Sequence, residues 1–141
     1  MNIPEISITI AAVLIVMQMA LMLSVGLHRA SVKIGVGHGE DEALHRKIRR
    51  HANLAENAAL FLVALTLAEI SGASATNIGL VAGLFLAARI SHALAFTSSS
   101  GSHTPQGSVV FPALRAFGAF GTVGSGLGVS TLLLMQLLGT A

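Results

Sequence analysis

The chain contains no cysteine, no tryptophan and no tyrosine, and only 10% of its 141 residues are charged. Without cysteine there is no disulfide framework, no Cys-ligated zinc and no iron–sulfur cluster. Nor is there a protein thiol to act as nucleophile, so any thiol chemistry uses an external thiol. Without Trp or Tyr the usual aromatic belt at a membrane interface is empty. Ordinary soluble domains are roughly a quarter charged. This chain is 53% hydrophobic with a mean hydropathy of +0.78, which excludes a disordered chain and argues against a soluble globular one. Eight Lys and Arg against six Asp and Glu leave a formal charge of +2. That is no electrostatic footprint for a nucleic-acid partner.

Four long apolar stretches carry the composition: about Ile6 to Leu27, Ala52 to Ile70, Asn77 to Phe96 and Val109 to Leu138. Each reaches the ~20 residues needed to cross a ~30 Å hydrocarbon core. Backbone groups in lipid must be satisfied internally, so each is expected to be a helix. The expectation is one domain over residues 1–141, an all-α integral membrane four-helix bundle. The first stretch does not read as a signal peptide, because Met1 to Glu5 holds no basic residue and the apolar run is too long.

Six of the eight Lys and Arg residues lie between the first two spans: Arg29, Lys33, Arg46, Lys47, Arg49 and Arg50. The positive-inside rule puts that loop in the cytoplasm and both termini outside. A bacterial inner membrane suits this arrangement. Within the loop, Gly35, Gly37 and Gly39 read as flexible. Glu40-Asp41-Glu42 followed by basic residues reads as a helix start running straight into the second span. The segment Thr97 to Pro105 reads as a flexible loop. Two GxxxG pairs, Gly79/Gly83 and Gly124/Gly128, allow close helix contact in lipid. The Gly35-x-Gly37-x-Gly39 run is no dinucleotide loop, since no strand precedes it. His38, His45 and His51 lack metal-ligand spacing, so no metal site is expected.

Ionisable residues inside membrane spans are costly and need a reason. Here they are Glu56 and Glu69 in span two, Arg89 and His92 in span three, and Arg115 in span four. Asn53, Glu56 and Asn57 share one helix face, with Arg49 a turn earlier; Arg89, His92 and Phe96 share another. Together they describe a polar site near the cytoplasmic end of the bundle, suited to a small zwitterionic or anionic ligand. Guanidinium binds carboxylate bidentately, and carboxylate takes an ammonium. Each residue also has a plain structural reading. Arg49, Arg50 and Arg115 serve as interface anchors, Glu56 with Arg89 as an ion pair, His92 as a packing residue, Asn53 as an interhelical hydrogen bond, and Glu69 as a structural group.

The segment Arg46-Lys47-Ile48-Arg49-Arg50-His51-Ala52-Asn53-Leu54-Ala55-Glu56-Asn57 resembles the signature of the MAPEG family, the membrane-associated proteins in eicosanoid and glutathione metabolism. That signature is an Arg, an Asn four residues later and a Glu three beyond, opening the second span; Arg49, Asn53 and Glu56 match it. Arg89-x-x-His92 is similar to the family's third span. The resemblance implies a homotrimer surrounded by membrane lipid, with glutathione bound as co-substrate between subunits. It implies glutathione transferase, peroxidase or isomerase chemistry on a lipophilic small-molecule substrate. Carried over by position, Arg29, Arg49, Asn53, Glu56, Arg89 and His92 would bind glutathione, and Arg115 would stabilise its thiolate as the catalytic residue. Three departures stand out. Phe96 occupies the region where members place a Tyr, the stretch between Arg89 and Arg115 is longer than in the eicosanoid enzymes, and Ala58-Ala59 follows the motif where Pro is frequent. A bacterial branch of the family is expected. The alternatives are a non-catalytic membrane scaffold or partner-binding protein and, more weakly, a small transporter.

Overall fold

A computed structural model describes residues 3–102 and 109–140. It contains four long helices: α1 (Glu5–Val32), α2 (Glu42–Ile70), α3 (Ala75–Ala95) and α4 (Val110–Leu138). All four are long and apolar enough to cross a membrane. The protein is an all-helical integral membrane bundle, as its four apolar runs require. At 1.5 Å per residue the 29 residues of α2 extend about 43 Å, well beyond a ~30 Å hydrocarbon core. The surplus is the charged first part of the helix, from Glu42 to Arg50.

The helix ends are set by specific groups. Asp41 caps α2, its carboxylate accepting from the Leu44 N–H at 2.8 Å and from His28 Nε2 at 3.0 Å. Lys33 ends α1 in the left-handed conformation, and its N–H reaches back to the Arg29 carbonyl. At the opposite membrane face Glu69 holds the start of α1. Its carboxylate accepts from Ile6 N at 3.0 Å, Ser7 N at 2.8 Å and Ser7 Oγ at 2.6 Å. A carboxylate on exposed helix N–H groups also complements the helix dipole. Glu69 is therefore a structural residue.

The core runs along the bundle through Leu14, Leu54, Phe61, Leu65, Ile78 and Phe85. Phe61 and Phe85 stack with centroids 3.8 Å apart. Helix α3 packs most extensively on α4. Their close approach occurs at Gly118 and Gly121, where an added Cβ would lie 2.7 Å from His92 Cβ and 2.9 Å from Ala88 Cβ. This differs from the GxxxG expectation. Gly79 and Gly83 face open space within the chain, and of the other pair only Gly128 is in tight contact, with Val81. Large apolar side chains such as Ile15, Val16, Leu60, Leu80, Phe120 and Leu127 point outward. In a bilayer that is the expected lipid-facing surface, since lipid tails are as apolar as leucine.

The described start of the connection after α3 is ordered where the sequence suggested flexibility. Ser99–Ser102 form a 3₁₀ turn, and Gly101 lies so close to the Ala95 carbonyl that no side chain would fit. The rest of that expected loop, His103 to Pro105, lies outside the described residues.

Candidate functional site

Helix α2 presents Glu42, His45, Arg46, Arg49 and Asn53 at helical spacing along one face of its first half. Across from them stand His92 and Phe96 of α3 and Arg115 of α4. These residues enclose an open polar cavity of about 420 Å³. Small-molecule sites span roughly 300–1,000 Å³. Three guanidiniums face a single carboxylate, so the cavity favours an anionic or zwitterionic occupant.

Its inner wall is organised around Phe96. The His92 ring lies 5.0 Å from the Phe96 ring, and the Arg115 guanidinium lies 5.2 Å from it on a cation–π contact. Arg115 also donates to the Gly101 carbonyl at 3.2 Å, which fixes the guanidinium against the 3₁₀ turn. The longer connection before α4 therefore does not remove Arg115 from the site. At the rim, His45 stacks on His38 with centroids 4.3 Å apart.

The expected site residues divide into two groups. Arg49, Asn53, His92 and Arg115 come together in the cavity. Arg89 lies one layer behind it, 3% exposed, over the Phe85 ring. It donates to the Asn53 carbonyl, to Asn53 Oδ1, to the Gly118 carbonyl and to Thr122 Oγ1. Among the described residues it has no carboxylate partner, so the Glu56–Arg89 ion pair does not form. Glu56 is exposed and lines a separate groove of about 460 Å³ between α2 and α4, beside Asn57, Thr122 and Ser130. Arg29 lies at the end of α1, donating to the Ile34 carbonyl at 3.3 Å, away from this chain's cavity.

Glu42, His45 and Arg46 were missed as cavity residues. The signal was present: counting back from Arg49 in steps of three and four reaches each of them. No group of three His, Cys, Asp or Glu among the described residues is placed to hold a metal.

A membrane-spanning four-helix bundle with a cationic cavity at one end, backed by a buried arginine, is a small integral membrane protein. The chain belongs to the MAPEG family, whose sequence profile matches residues 7–135. No curated protein matches it. Family membership makes this a membrane protein of the group associated with glutathione and eicosanoid metabolism.

Proposed function

We propose that the protein is a glutathione-dependent membrane enzyme that conjugates or reduces lipophilic electrophiles. The observation that carries this reading is the convergence of Arg46, Arg49, Asn53, His92 and Arg115 on one open cavity. Its polar groups fit the tripeptide's chemistry: guanidiniums donate to the two carboxylates, Glu42 accepts from the ammonium, and Asn53 suits a peptide or carboxylate oxygen. Glu56 and Arg29 lie outside the cavity of a single chain. A homotrimer, with ligand bound between subunits, is the arrangement in which they join it. The cavity then faces the cytoplasm, as the basic residues of the first loop indicate.

Arg115 is the catalytic residue in this reading. A free thiol has a pKa near 8.5 and is mostly protonated at neutral pH. A guanidinium at close range favours the thiolate, and each unit of lowering corresponds to about 1.4 kcal/mol. The thiol proton leaves to solvent through the open mouth. The thiolate then attacks an electrophilic carbon arriving from the bilayer. The carbon–sulfur bond forms as the carbon–leaving-group bond breaks and the leaving group departs with its electron pair. For an activated double bond, it forms as the π pair shifts to the neighbouring carbon, which takes a proton from water. Ultraviolet difference absorption of bound thiolate tests the assignment. The signal is expected in the wild type and absent in Arg115→Ala, with assembly unchanged. An equal signal in the variant would remove Arg115 from the role. Glutathione binding without any thiolate in the wild type would favour a non-catalytic binder, the reading that Phe96 in place of a tyrosine supports.

A further inference from the structure

Behind the cavity runs a chain of hydrogen bonds whose direction is fixed at every link. Thr122 Oγ1 donates to the Gly118 carbonyl at 2.6 Å, so its hydroxyl proton is committed and a lone pair faces Arg89. Arg89 Nη2 donates to that lone pair and, at 2.8 Å, to the same Gly118 carbonyl. Arg89 Nη1 donates to Asn53 Oδ1 and to the Asn53 carbonyl. A guanidinium carries only donors, so it can meet the Asn53 amide only at its oxygen. The amide nitrogen is thereby turned away from Arg89, and it makes no hydrogen bond among the described residues. Asn53 lines the cavity; Arg89 and Thr122 do not.

We infer that Arg89 and Thr122 act as a clamp that holds Asn53 as an obligate hydrogen-bond donor toward an anionic oxygen in the cavity. Thr122 is a positioning residue in this arrangement, and Arg89 works through Asn53 without touching the ligand. The buried positive charge on the amide oxygen polarises the amide and strengthens its outward N–H groups as donors. The inference rests on the reading of the cavity as a glutathione site, and it adds the polarity of one contact together with the residues that set it.

The test pairs an isosteric reversal with a rescue series, reading both thermal stability and reduced-glutathione binding in the purified, assembled protein. Asn53→Asp keeps an oxygen on Arg89 and supplies its missing counter-charge, but turns an acceptor into the cavity. Its melting temperature is expected to equal or exceed that of the wild type, while affinity falls by about tenfold or more, the loss expected for a hydrogen bond to a charged group. Thr122→Val is expected to weaken binding although residue 122 is not in the cavity, and Thr122→Ser to restore it. Ser125→Ala is the structural control: Ser125 is buried and donates only to the Thr122 carbonyl. It is expected to change stability without changing affinity. Wild-type affinity in Asn53→Asp, or a clear drop in its melting temperature, would overturn the clamp. If the wild type binds no glutathione, the ligand reading fails, and the clamp stands or falls on the stability of Asn53→Asp and the Thr122 series.

Discussion

At the scale of single residues, the site depends on a few committed contacts. Phe96 packs against both His92 and Arg115 at the wall of the proposed glutathione cavity. Phe96→Tyr is expected to tighten glutathione binding about two- to tenfold, since a neutral hydrogen bond contributes ~0.5–1.5 kcal/mol. Titration calorimetry checks this, and weaker binding would place the ring edge away from the ligand. Much of this scale was readable from spacing. Arg49 and Asn53, and separately His92 and Phe96, share helix faces, and a shared face is a property of sequence alone. The destination of Arg89 was not. Its spacing puts it near His92, but its donors go to Asn53, Gly118 and Thr122. That outcome depends on how closely α4 approaches α3, and local periodicity does not record the approach.

At the scale of elements, helix ends and helix contacts carry the predictions. The carboxyl of Asp41 is held below its ordinary value of 3.8, first by the Leu44 N–H and then by the hydrogen bond from His28. A lowered folded value means that the cap's contribution is fully present above the ordinary pKa. It is lost as pH falls through the lowered one. Acidification in that window is expected to fray the first turn of α2, seen as faster amide exchange at Leu44. Asn caps as well as Asp without titrating, so Asp41→Asn removes the pH dependence; an unchanged profile in that variant would exclude Asp41 as its origin. Between α3 and α4, Gly118→Ala forces its methyl group to 2.7 Å from His92 Cβ and 3.0 Å from the Ala88 carbonyl. Overpacking of this kind costs ~1–3 kcal/mol. A lower melting temperature is expected for Gly118→Ala but not for Gly126→Ala, where the added atom meets open space. The GxxxG pattern pointed to other glycines, because a spacing motif says which residues permit contact and not which partner arrives. By contrast, α1 outlasts its apolar run at Leu27 and ends at Val32. Hydropathy marks where lipid stops, whereas the left-handed Lys33 marks where the helix stops.

At the scale of the whole molecule, one asymmetry organises the bundle. One end is closed by Glu69 on the start of α1 and by the tight α2–α3 turn. The other carries the charged first part of α2 and the cationic cavity. Four apolar runs made the membrane bundle legible from composition, because lipid imposes helix and length together. The cavity's full outline was less legible, since it needs three helices in register. The proposed function requires that this cavity bind glutathione through its arginines. Calorimetric titration of reduced glutathione into the detergent-purified protein, with Arg49→Ala alongside, tests it most directly. Arg49 is exposed at the cavity wall, so its loss is expected to leave the fold intact. Saturable binding is expected in the wild type and its loss in Arg49→Ala; no binding in the wild type, or equal binding in both, would refute a glutathione site built on these arginines.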